Sequence, residues 1–165
     1  MTADALRGAF RTLLEAAASV SDGDAVPEPP AGEWNADQIL AHVSLVTAAT
    51  LATVATIAAG ANAAYDNRLA QDAWTIEHTI ELAGGHAGLR ERIGAQADAL
   101  CALVGAGLGD RELDTPVPSR LVSNRAVMVD QPLALRDIIA GLAAQELPGH
   151  AEQLLALKGR ARVAH

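Results

Sequence analysis

"QELPGHAEQLLAL", residues 145–157, combines a helical apolar pattern with two polar residues that such a pattern does not need. Its leucines and alanines recur at helical spacing, yet Glu146 and His150 stand four positions apart on the same predicted face, with Pro148 and Gly149 between them. Residues at i and i+4 are neighbours on a helix surface. Two readings are open. The stretch is a helix end carrying ordinary polar residues, or it is half of a metal site whose other half lies elsewhere in the chain.

Extended toward the N-terminus, the same periodicity predicts a last helix beginning near Leu133. Its expected face is Leu135, Ile138, Ile139, Leu142, Glu146, His150, Gln153 and Leu157. An earlier stretch, "EWNADQILAHVSLV" (33–46), carries Asn35 followed by Gln38, the pattern of a capping box, so a second helix starts there. Its apolar face is Ile39, Val43, Val46, Thr50, Val54 and Ile57. His42 lies three after Ile39 and four before Val46, so it points inward with them.

Elsewhere, Leu6, Phe10, Leu13, Leu14 and Ala17 define a first helix over about 3–19, ended by the Pro- and Gly-rich "SDGDAVPEPPAGEW" (21–34). A third helical region covers about 71–105, with Ile76, Ile80, Leu89, Ile93, Leu100 and Leu103 as its stripe and Gly84 and Gly85 bending or interrupting it. Between Gly105 and Pro132 the pattern changes, and "RLVSNRAVMV" predicts a short extended or hairpin-like excursion around 116–130. A connection this long either carries function or crosses a bundle. The expected fold is therefore all-α: one domain over 1–165, four main helices in one bundle.

Composition narrows the partners. Half the residues are hydrophobic but only 2% are aromatic, so the core must be built from Ala, Leu, Val and Ile. The net charge of -8 argues against nucleic acid, whose binding draws on Lys and Arg. A single cysteine, Cys101, leaves no intramolecular disulfide and no Cys-rich zinc motif, and it falls on an apolar stripe as a small core residue. The "MTADALRGAF" start does not read as a signal peptide, so a cytoplasmic location is the expectation. From Ile39 to Tyr65 no charged residue occurs, longer than the ~20 residues that span a bilayer. The interspersed Thr, His42, Ser44 and Asn62 favour a helix buried in the core or against a second subunit, with no membrane partner.

If the second and last helices pack together, His42, Glu146 and His150 converge as two imidazoles and a carboxylate. That donor set suits a divalent ion with open positions. An inward carboxylate also calls for a cation, whether metal or Arg. The alternative is a core histidine bonded to a backbone carbonyl and a Glu146 left outside if Pro148 ends the helix. His78 and His86 suit surface or cap roles, and His165 is terminal.

"EWNADQILAHVSLV" and "GLAAQELPGHAEQLLAL" (141–157) resemble the second and last helices of DinB/YfiT-like proteins. There a Trp and a capping residue precede a His, and the last helix carries two His four apart with a Gln three further on. The resemblance covers most of the chain, including the long connection. It implies a four-helix bundle with one long crossover, often homodimeric, holding a divalent metal through three histidines at one end. His42 matches the first ligand, His150 the third, and Gln153 the trailing position. Glu146 stands where the second histidine would be, and Pro148 is a further departure. The resemblance implies zinc, nickel, iron or manganese as cofactor, with a small-molecule substrate and in some relatives a low-molecular-weight thiol. The competing expectation is a metal-free bundle that binds a small apolar ligand or a partner protein without catalysis.

Overall fold

A computed structural model describes residues 3–21 and 29–163, with side chains described through Lys158; residues 22–28 of the predicted 21–34 connection and His165 lie outside the described residues. The fold is mainly helical, with a small three-stranded sheet inserted before the last helix. In order come α1 (Ala3–Ser21), α2 (Ala36–Ala58), β1 (Tyr65–Asp66), a 3-10 turn (Arg68–Gln71), α3 (Ala73–Ala83) and α4 (His86–Ala106). They are followed by α5 (Asp110–Leu113), β2 (Pro116–Ser123), β3 (Ala126–Ala134), α6 (Leu135–Gly141), a π-helical turn (Leu142–Glu146) and α7 (Leu147–Val163).

α2 begins where its cap predicts. The Asn35 side chain accepts from the Gln38 amide at 2.9 Å, and Gln38 Oε1 accepts from the Asn35 amide at 3.0 Å, so two otherwise orphaned N–H groups are satisfied. Every residue of the predicted α2 face is buried, His42 included. Two of the buried threonines of this helix are satisfied by donating to carbonyls one turn back, Thr50 to Val46 and Thr53 to Ala49, whereas the buried Thr47 hydroxyl has no hydrogen-bond partner among the described residues. Over α2's most apolar stretch 61% is buried within the protein, although the helix is long and apolar enough to cross a membrane. Its apolar run is thus explained by core packing.

α1 packs on α4 and α7, and α2 packs on α4 with a further contact to α7. The core between them is aliphatic: Leu6, Leu13, Leu40, Leu89, Ile93, Leu100, Leu147 and Leu154 are all fully enclosed. Each such side chain contributes roughly 1.5–3 kcal/mol on burial.

Two expectations are made definite and one is corrected. The predicted helical region 71–105 is two helices, because Gly84 (φ +77°) and Gly85 (φ +89°) occupy left-handed backbone that ends α3 and redirects the chain into α4. The excursion predicted at 116–130 is a true hairpin extending to Ala134, turned by Asn124 and Arg125, both at positive φ. It pairs in parallel with β1, so the described residues are not purely helical.

The correction concerns the last helix. It begins at Leu135, and its buried face after the π-turn is Leu147, Ala151, Leu154 and Leu157, one residue out of step with the predicted Glu146, His150, Gln153 stripe. Pro148 has no N–H, and in a regular helix its ring would press on the carbonyl four residues back. The wider π-turn relieves that clash, with the Leu147 amide reaching the Leu142 carbonyl five residues back. The inserted residue turns Glu146 and His150 from the centre of the core face to its edge.

Candidate metal centre

Each of the three polar side chains is brought to this edge for a local reason. His42 sits on the buried face of α2, 2% exposed. Its Nδ1 donates to the Ala70 carbonyl at 2.7 Å. Ala70 belongs to the 3-10 turn, and that turn is tied down next to it. Asn67 donates to the Val122 carbonyl at 3.0 Å and accepts from the Val122 amide at 2.8 Å, filling the irregularity in the β2–β3 ladder at Leu121/Val122. The hairpin therefore fixes the turn, and the turn fixes which nitrogen of His42 faces the cleft.

His150 is oriented in the same way from α7. Its Nδ1 donates to Gln153 Oε1 at 2.8 Å, leaving Nε2 to face Glu146. Glu146 Oε2 then stands 3.1 Å from His150 Nε2 and 3.6 Å from His42 Nε2. The His42 and His150 rings meet edge to face at 4.7 Å, and Trp34 packs on the other side of His42 at 4.8 Å. The arrangement predicted from sequence is thus present: one donor atom from each of His42, Glu146 and His150 lies within 4.8 Å of the others.

The electrostatics follow from this convergence. Hydrogen bonding from His150, then from His42, holds the Glu146 carboxyl far below the ordinary carboxylate range and outweighs the opposing effect of burial. The carboxylate is 42% exposed, so one side of the cluster remains open to solvent. Tyr65 is nearby in electrostatic terms. Burial pushes its phenol up, the hydrogen bond with Thr50 at 3.3 Å opposes this, and the charge of Glu146 adds to the rise.

The donors fit a divalent cation on two counts. Two ligands about 2.1 Å from one tetrahedral ion stand about 3.4 Å apart, and the two separations from Glu146, 3.1 Å and 3.6 Å, bracket that value, while all three donor atoms lie within 4.8 Å of one another. Both histidines also engage their second nitrogen with a carbonyl acceptor, the support that fixes tautomer and ring direction in metal-binding imidazoles. The same geometry admits a second proton on either Nε2, donated to Oε2. Metal and protons therefore compete for one position.

The remaining sequence candidates fall outside the cluster. His78 is a surface residue, stacked on Trp74 at 5.0 Å and 3.8 Å from Glu81. His86 is more than a cap: it bridges Asp37 Oδ1 at 2.8 Å and the Ala17 carbonyl at 3.0 Å, joining α1, α2 and α4. Cys101 is a buried core thiol, pushed up by burial. Ala70 and Tyr65 were not legible as neighbours of the site, because a backbone carbonyl has no sequence signature and Tyr65 follows an irregular loop. Compared with known proteins, the chain matches no family model, no curated protein and no solved structure.

Proposed function

We propose that His42, Glu146 and His150 hold one divalent ion, and that the protein is a metal-dependent enzyme acting on a small molecule. The convergence of two oriented imidazoles and an ionised carboxylate at a half-open cleft carries this reading. In the same proposal the chain is a DinB/YfiT-like four-helix bundle with one long crossover, homodimeric and cytoplasmic, with neither nucleic acid nor membrane as partner. The hairpin of β2 and β3 then belongs to that crossover. Two histidines and one carboxylate replace the three histidines of the resemblance, a chemically sound exchange because carboxylate oxygen and imidazole nitrogen both ligate zinc, nickel, iron and manganese.

When bound, such an ion lowers the pKa of a thiol or water at its open position, supplying a nucleophile near neutral pH. The chain's own residues set the conditions. Ala70 and Gln153 keep both Nδ1 atoms protonated, so both Nε2 lone pairs face the cleft. Trp34 shields one side of His42, and the exposed side of Glu146 is where a small substrate approaches. Reaction classes in keeping with this centre are low-molecular-weight thiol transfer, isomerisation and hydrolysis.

The test is a screen of protein loaded with each of the four metals against low-molecular-weight thiols paired with an electrophile. Thiol consumption that requires the metal and vanishes in His42→Ala is expected. Identical rates with loaded and chelator-stripped protein would overturn the enzymatic reading. A metal-free bundle that binds a small apolar ligand or a partner protein is the second reading, favoured by one observation: the 3.1 Å Glu146 to His150 contact is itself a complete hydrogen bond.

A further inference from the structure

Away from the residues of this cluster, α1 and α4 line an open groove of about 420 Å³. That volume falls within the roughly 300–1,000 Å³ of small-molecule sites. Its floor is apolar, formed by Phe10, Leu14 and Ala97. Its rim carries Arg7, Arg11 and Arg90. Glu15 and Asp98 line the same groove, so its three arginines leave it a small positive excess on a chain whose net charge is -8.

Gly94 supplies an independent observation. It lies in the interior of α4 and lines the groove, its backbone is not in the left-handed region, and an added Cβ would meet nothing within 4 Å. A glycine inside a helix costs about 0.5–1 kcal/mol relative to alanine. Neither a turn nor a close backbone approach calls for it here. What the missing side chain does is leave the middle of the groove open.

We propose that this groove binds an amphiphilic monoanion, an alkyl or aryl carboxylate whose apolar body lies on Phe10 and Leu14 and whose head meets Arg11. Arg7 already pairs with Asp4 at 3.0 Å, whereas Arg11 makes no ion pair among the described residues. Its planar guanidinium matches a carboxylate bidentately. Glu15 and Asp98 also line the groove and disfavour a second negative charge, which selects a monoanion over a phosphate or a polyanion. The proposal does not depend on the metal reading, because the groove is built from α1 and α4 and the cluster from α2 and the last helix.

Calorimetric titration of the full chain with octanoate, octanol and octylammonium tests it, with sedimentation velocity run alongside. Octanoate is expected to bind one per chain, with the uncharged and cationic analogues about tenfold weaker or more. Gly94→Leu is expected to abolish binding without loss of helicity or thermal stability. Arg11→Gln, an exposed position that leaves the fold intact, is expected to weaken it about two- to fivefold. Absence of saturable octanoate binding, equal affinity for octanol, or unchanged affinity in Arg11→Gln overturns the proposal. So does a dimer that Gly94→Leu dissociates while octanoate fails to bind, which would make a second copy of the chain the occupant.

Discussion

Replacing Glu146 with glutamine keeps the shape of the side chain and removes its charge. In the folded chain Oε2 serves two partners at once, at 3.1 Å and 3.6 Å. A hydrogen bond to a charged group contributes about 1.5–3 kcal/mol, and at a side chain 42% exposed the lower end applies because solvent screens it. Loss of a residue that merely supports a metal ligand weakens binding about 10–100-fold, so Glu146→Gln, which strips the site's one anionic ligand of its charge, should weaken metal binding at least about tenfold. Competition against a chromophoric chelator at neutral pH measures this directly. Glu146→His, which restores a neutral nitrogen donor, should match or exceed the parent. In metal-free protein the same Gln variant should lose about 1 kcal/mol, or roughly 2–4 °C in Tm. The folded-state pKa of Glu146 is lowered, so its stabilising effect is fully present above the ordinary carboxylate value near ~4.3 and fades as pH falls toward the lowered one. The stability gap between parent and Gln variant should therefore narrow as pH falls below that ordinary value. Unchanged metal affinity in Glu146→Gln would refute the reasoning, since a ligand cannot lose its charge without consequence.

Gln153→Ala removes only the acceptor that orients His150, and should weaken metal binding about tenfold, the low end for such supporting contacts because Gln153 is exposed and water can replace it. Chelator competition reads this too. His86→Ala breaks the bridge between Asp37 and the Ala17 carbonyl and should cost about 1–2 kcal/mol in urea unfolding, with metal affinity unchanged. The helix phase after the π-turn is checked by two leucines: Leu154→Ala should cost about 2–5 kcal/mol and Leu155→Ala, 49% exposed, about 0.5 or less. Equal costs would mean that the last helix runs in a different phase.

The sequence made the donors legible and left their setting obscure. Asn35 with Gln38 announced the start of α2, and that start placed His42 on a buried face by simple counting. Glu146 and His150 were legible as an i, i+4 pair for the same reason. What counting missed is the π-turn, because a period of 3.6 residues assumes a regular ladder and Pro148 forbids one. The predicted stripe consequently ran one residue off, naming Gln153 as inward where Leu154 is. Gly84 and Gly85 signalled a break within 71–105, and only their positive φ shows that it separates two helices. The two-residue strand Tyr65–Asp66 has no periodicity to detect, and its role emerges from long-range pairing with β2. Thus the site's ligands follow from local patterns, whereas its supports, the Ala70 carbonyl and the Asn67 latch, depend on contacts between distant segments.

Elemental analysis of the protein purified without an affinity tag shows whether these three side chains form a metal centre. It should be made before and after equilibration with zinc, nickel, manganese or iron(II), beside His42→Ala and His150→Ala. Close to one divalent ion per parent chain is expected, with none retained by either variant. Trace metal in the purified parent and no uptake from any of the four ions would contradict it.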